Sequence, residues 1–219
     1  MKRLFFLWAI GLGLGFRLGL GFGSSVASTS ARTAEPPSIL VFGDSISAGF
    51  GLARVDEGWV EMLRAKLKAQ GYGYNVVNAS VSGETTAGGL ARLPRALSLH
   101  HPRIVILELG GNDGLRALSI AEMRANLATM IDLASASGAR VLLLGMRIPP
   151  NYGPEFTEKF FAAFAAVAHA KKAPLVPFLL NDIALSSALM QADGIHPNEL
   201  GQPKLLGNVW PSLQPLLAR

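Results

Sequence analysis

Hydrophobic positions along this chain change period repeatedly, and the changes divide it into short apolar runs and longer amphipathic segments. Residues 38–42 (SILVF), 104–109 (IVILEL), 140–146 (RVLLLGM) and 174–180 (PLVPFLL) are short runs with little polar alternation, and 74–78 (YNVVN) is a weaker one. Such runs bounded by Gly, Pro and Asn predict strands. Between them the apolar residues recur every three or four positions. Trp59, Val60, Met62, Leu63 and Leu67 mark one helix, with Gly71 as its stop, and Leu90, Leu93 and Leu97 mark another that Thr85 or Thr86 can cap. Ser119 to Glu122 is a capping box opening a helix that Gly138 ends. Residues 154–172 form a helix rich in Phe and Ala, and a helical tail closes the chain.

Strands that read as continuous apolar runs are buried on both faces, which is the pattern of a parallel sheet covered by helices. The expected class is therefore α/β, a three-layer α/β/α arrangement around a doubly wound, five-stranded parallel sheet. In such a sheet the loops leaving the carboxyl ends of the strands gather on one edge, and ligands bind there.

The N-terminus follows a different logic. Lys2 and Arg3 precede an uncharged apolar run from Leu4 to Phe16, and small residues end in Ser25-Val26-Ala27. This is the layout of a secretory signal, with cleavage expected after Ala27. The run is shorter than the roughly 20 apolar residues that span a bilayer. Because Leu18 to Gly23 continue the apolar character past Arg17, an uncleaved N-terminal anchor is the alternative. The expected organisation is a signal peptide over residues 1–27, a Pro-containing linker over 28–37 and one domain over 38–219, within the range of a single core. The product is expected to be exported, periplasmic or secreted, without stable membrane insertion after cleavage, and monomeric.

The N-terminal segment also alters what the charge means. The chain has 20 basic and 15 acidic residues, net +5. Removing residues 1–27 deletes Lys2, Arg3 and Arg17 and no acid, so 17 basic residues face 15 acidic ones, net +2. A nucleic-acid footprint is not supported. The glycines of GLGLGF lie in the same segment with no strand before them, so they do not form a nucleotide-binding loop. There is no cysteine, which excludes disulfides, a thiolate nucleophile, a cysteine metal site and a lipoprotein anchor.

Ser45 follows the first strand in GDSIS, residues 79–89 follow the second, and GGNDG follows the third. All three fall on the ligand edge. A serine nucleophile needs a base, most often histidine. His100 and His101 precede the third strand, and His169 sits near the end of the helix leading into the fifth, so all three belong to the opposite edge. His196, in ADGIHPNELG after the fifth strand, is the one histidine on the edge of Ser45. Asp193 stands three residues before it, close enough for one turn to present both side chains, and can hold the imidazole tautomer and stabilise an imidazolium. Asp-Gly and His-Pro also make an ordinary loop; Ser45 on the same edge weighs towards a triad.

Acyl transfer also needs donors for the developing oxyanion. Gly83 and Asn112 occupy the loops flanking Ser45 and can serve with the N–H of Ser45, although Gly and Asn in loops are often structural. Asp113 reads as a loop or capping residue, and Asp44 as pointing away from the Ser45 hydroxyl. Leu115, Ile148, Pro149 and Tyr152 lie on the same edge and are candidates for an apolar acyl groove, each with loop packing as its other reading. Trp59 reads as core.

With GDSIS, SVSGETT, GGND and DGIHP in this order, the chain resembles the SGNH (GDSL) hydrolase superfamily over about residues 38–215. VVNASVSGETTAGGLARLP, ELGGNDGLR and IPPNYG are similar to its group of periplasmic acyl-CoA thioesterases, lysophospholipases and arylesterases. GDSIS lacks the second glycine of the G-x-S-x-G elbow found in α/β-hydrolases. The resemblance implies a flavodoxin-like fold and a serine esterase or thioesterase without cofactor or metal. It implies Ser45 as nucleophile, His196 as base, Asp193 as its orienter, and Ser45, Gly83 and Asn112 as the oxyanion hole. The implied substrates are small acyl esters, thioesters or lysolipids. Two rivals stand beside this reading: a carbohydrate O-deacetylase on the same scaffold, and a non-catalytic binding module.

Overall fold

A computed structural model describes residues 36–218. The signal peptide assigned to 1–27 and most of the 28–37 linker lie outside the described residues. The elements run β1 (Ser38–Gly43), α1 (Ser45–Ala48), α2 (Trp59–Ala69), β2 (Asn75–Asn78), α3 (Thr86–His100), β3 (Ile104–Glu108), α4 (Gly111–Leu115), α5 (Ile120–Ala136), β4 (Arg140–Leu144), α6 (Pro154–Lys171), β5 (Leu175–Val176) and α7 (Gln202–Leu213). All strand pairs are parallel and the order is β2-β1-β3-β4-β5. That is the flavodoxin-like order, whose direction reverses between β1 and β3.

Both faces of the sheet are covered. Helix α2 packs with α7, while α3 packs on α5 and α5 on α6. The four central residues Ile39, Leu40, Val41 and Phe42 are fully buried, as are Ile104 and Ile106, which is why β1 and β3 read as unbroken apolar runs. Trp59, also fully buried, is core; truncating a residue of this kind to alanine typically costs about 3–5 kcal/mol.

The helix ends follow local chemistry. The Thr85 hydroxyl accepts from the Gly88 N–H to cap α3, and the Ser119 hydroxyl accepts from the Glu122 N–H to cap α5. Asp113 adds a long-range fastening, accepting from the Thr86 N–H at 2.8 Å and the Thr86 hydroxyl at 2.5 Å.

One strand is much shorter than its apolar run. The segment 174–180 predicts a full strand, yet only Leu175–Val176 pair with β4. Pro174 and Pro177 have no N–H to donate, so the ladder is confined to the two residues between them. Beyond Pro177 the chain bends, and only the Leu179 N–H returns to the Gly145 carbonyl. The freed residues Phe178 and Leu180 turn towards the ligand edge, where they enter the site described next. Among the described residues, no helix is long and apolar enough to cross a membrane.

Candidate active site

The site lies where the sheet order reverses. β1 ends at Gly43, and Asp44 then caps the one-turn helix α1, its Oδ1 accepting from the Ile46 N–H at 3.1 Å. Ser45 is therefore the first residue of that turn, carried at the carboxyl end of a buried strand. β3 ends in register with it, Gly43 opposite Glu108, and α4 follows with Asn112 as its second residue. The third contributor comes from the β2 exit. The Ala79 N–H donates to the Val41 carbonyl and the Val81 N–H to the Gly43 carbonyl, extending the parallel ladder past the strand and laying the Gly83 turn beside α1. Gly83 has φ +79°, a left-handed conformation that a side chain would oppose. Its carbonyl accepts from the Arg116 guanidinium at 3.0 Å.

His196 reaches this edge from a separate loop. The Met190–Pro197 bridge and the Gln191 N–H donating to the His196 carbonyl at 2.8 Å close that loop on itself. Gln191 also ties it to the β1 side, since its Nε2 donates to the Phe50 carbonyl at 2.7 Å and to the Pro197 carbonyl at 3.2 Å. The result is a continuous chain of hydrogen bonds. His196 Nε2 is 2.8 Å from Ser45 Oγ, and His196 Nδ1 is 2.7 Å from Asp193 Oδ2. Asp193 Oδ1 accepts from the backbone N–H groups of Ile195 and His196 at 2.9 and 3.0 Å. Desolvation pushes the Asp193 carboxyl up, but the imidazole and the two N–H donors outweigh it and hold it down at about 2. The Phe50 ring covers the imidazole with centroids 4.7 Å apart.

Ser45, Gly83, Asn112 and His196 line one cavity of about 670 Å³. Leu115, Ile148 and Pro149 line it too. Tyr152, assigned to the groove on sequence, is not among its lining residues. Its hydroxyl donates to the Leu115 carbonyl at 2.7 Å and its ring stacks on Phe156, so it props the wall from behind. The other apolar walls are Met146, Phe178, Leu180 and Met190, with Phe50, Leu185 and Ile195 at exposed positions. Sequence reasoning passed over these. Phe178 and Leu180 were absorbed into a strand, and the two flanking prolines were the signal that they leave it. Phe50 and Gln191 carried no motif.

Beneath Ser45 lies a buried acid pair that the sequence reading did not anticipate. Glu108 is fully buried, and its Oε2 accepts from the Asp44 N–H at 3.2 Å and the Ser47 hydroxyl at 2.7 Å. A Cβ on Gly43 would stand 2.5 Å from that oxygen, so the carboxyl occupies space that only glycine leaves open. Burial, and then the adjacent Asp44 charge, push Glu108 well above the usual carboxylate range. Burial also raises Asp44 to about 6, against opposing hydrogen bonds from the Ile46 N–H and the Asn112 amide.

Comparison with known proteins identifies the family. The GDSL-like Lipase/Acylhydrolase family model matches residues 41–203. Esterase TesA of Pseudomonas aeruginosa is 53% identical over 186 residues, covering 85% of this chain and 92% of that protein. Thioesterase 1/protease 1/lysophospholipase L1 of Escherichia coli is 39% identical over 186 residues, covering 85% and 88%. A crystal structure of TesA superimposes with a TM-score of 0.80 at 53% identity, covering 82% of this chain and 99% of that one. The chain belongs to the GDSL-like lipase/acylhydrolase family and is a carboxylic ester hydrolase.

Proposed function

We propose that this protein hydrolyses acyl esters and thioesters, including aryl esters, acyl-CoA and lysophospholipids, through an acyl-enzyme on Ser45. The observation that carries the reading is the unbroken chain from Asp193 through His196 to Ser45, at 2.7 and 2.8 Å. Ser45 Oγ attacks the acyl carbonyl while His196 Nε2 takes its proton. Asp193, ionised and fixed by two backbone donors, holds the Nδ1–H and stabilises the imidazolium. The N–H groups of Ser45 and Gly83 and the Asn112 amide receive the oxyanion. The imidazolium then protonates the departing alcohol or thiol. Water then attacks the acyl-enzyme as it gives a proton to His196, and the imidazolium returns that proton to Ser45 Oγ as the C–Oγ bond breaks and the acid leaves.

Substrate class follows from the cavity walls. Leu115, Met146, Ile148, Pro149, Phe178 and Leu180 favour an acyl chain over a sugar, which supports the lipolytic reading over a carbohydrate O-deacetylase. Export through the signal at residues 1–27, action outside the cytoplasm and a monomeric state belong to the same proposal. The test is hydrolysis of p-nitrophenyl esters from acetyl to palmitoyl and of acyl-CoA thioesters, with Ser45→Ala as control. Turnover of medium and long chains, lost in the variant, is expected. Cleavage of the acetyl ester alone would transfer the assignment to the deacetylase, and full activity in Ser45→Ala would remove the triad.

A further inference from the structure

The acid pair beneath Ser45 takes no part in the mechanism above, and its cost in burial calls for a use. Asp44 is 2% exposed and lies one residue from the nucleophile, yet its carboxylate does not approach the Ser45 hydroxyl. Its two oxygens are divided between two neighbours. Oδ1 takes the Ile46 N–H, which sets the turn presenting Ser45, and Oδ2 takes one hydrogen of the Asn112 amide at 3.1 Å. An Asn side chain ends in a rotatable amide, and a donor helps a transition state only if its direction is fixed before charge develops. With one Nδ2 hydrogen held by Asp44, the amide plane is fixed and the second hydrogen has one direction left, within the cavity that Asn112 shares with Ser45 and Gly83.

We propose that Asp44 is a positioning residue, which aims the Asn112 amide at the oxyanion beside Ser45 and acts on the reaction only through that amide. The inference rests on the assignment of Asn112 as an oxyanion donor. Glu108 completes the arrangement from below: its carboxyl accepts from the Asp44 N–H and the Ser47 hydroxyl and so holds the turn that carries the Asp44 carboxylate. The groups facing Asp44 are few. From β3 it meets Glu108, from the base loop His196, from α4 the Asn112 amide and Gly111, and from α1 the Ile46 N–H. Glu108 and His196 are the titratable ones. When Asp44 takes up a proton it competes for the same Asn112 hydrogen as a weaker acceptor, and the amide is released. Activity therefore falls on the acid side as Asp44 takes up its proton.

The test is a double-mutant cycle on Asp44→Asn and Asn112→Ala, read as kcat and KM with a p-nitrophenyl ester, together with the pH profile of kcat/KM. Thermal unfolding of each variant reports whether it is folded, and Asp44→Ala provides a second route round the cycle. In the otherwise native protein, Asp44→Asn is expected to lower kcat by about 10–100-fold with KM within about 3-fold, below the roughly 10²–10³ of losing the donor itself. In the Asn112→Ala background the same change is expected to cost less than about 3-fold. The acid limb of the Asp44→Asn profile should lose the Asp44 step and be shallower than that of the native protein. An equal cost of Asp44→Asn in both backgrounds overturns the positioning role and leaves Asn112 as a donor. Native kcat in Asn112→Ala would instead overturn the donor assignment and the inference with it.

Discussion

His196 Nε2 stands 2.8 Å from Ser45 Oγ across 151 residues of chain, and the two sides of that bond are built differently. Ser45 is fixed by a buried strand and a capped turn, while His196 rides on a loop that closes largely on its own backbone. The loop joins the β1 side through the Gln191 amide and the Phe50 ring. Proton transfer therefore depends on a short bond between a rigid element and a separately held one, which makes the orientation of the imidazole the sensitive quantity.

Asp193 supplies that orientation. Asp193→Asn keeps the volume but removes the charge that stabilises the imidazolium, and it favours the wrong tautomer. We expect kcat to fall by about 10³–10⁴-fold with KM little changed, measured on a p-nitrophenyl ester. A loss below 10-fold would refute this role. Because Asp193 is held at about 2, it stays ionised across pH 4–9, so acid loss of activity in the native protein comes from other groups.

The opposite shift at Asp44 has a stability consequence. Its carboxyl is about 6 in the folded chain and 3.8 when unperturbed, so between those values the folded state holds more protons. Stability from this group is present in full below about pH 4 and is lost as pH rises through 6. Asp44→Asn should therefore be more stable than the native protein at pH 7.5, by on the order of 1–3 kcal/mol, with the advantage gone at pH 4. Denaturant unfolding at the two pH values measures it. An equal difference at both would count against a charged Asp44.

Tyr152 offers a test of the groove wall. Tyr152→Phe removes the hydroxyl that holds the Leu115 carbonyl, a bond of about 1 kcal/mol in stability. The expected effect is a several-fold rise in KM for long acyl esters, with the acetyl ester unaffected. A chain-length series of KM values checks it, and a uniform change across the series would mean that Tyr152 supports the loop without shaping the groove.

Much of this could be read before any coordinates. The buried runs of β1 and β3 and the helix caps at Thr85 and Ser119 depend on local pattern and local chemistry, which a sequence displays. The convergence of Ser45, Gly83, Asn112 and His196 on one edge followed from parallel topology once the other histidines were assigned to the far edge. What stayed hidden depends on contacts between distant segments. Tyr152 looked like a groove residue because its loop is on the right edge, and only its bond to Leu115 turns it away. Gln191 is a plain polar residue in a loop until Phe50 lies beside it. Glu108 is one acid within an apolar strand, and its partners at Asp44 and Ser47 lie more than 60 positions away.

The close approach of Glu108 to Gly43 has one further consequence. The two positions are register partners, and an aliphatic residue at 108 would fill the space beside Gly43 without burying a carboxyl. A search for heat resistance alone would arrive at that replacement, because it exchanges a desolvated acid for ordinary core. It would also take away the support under Asp44 and Ser47. The improvement most attractive to the sheet is thus the one the enzyme cannot accept.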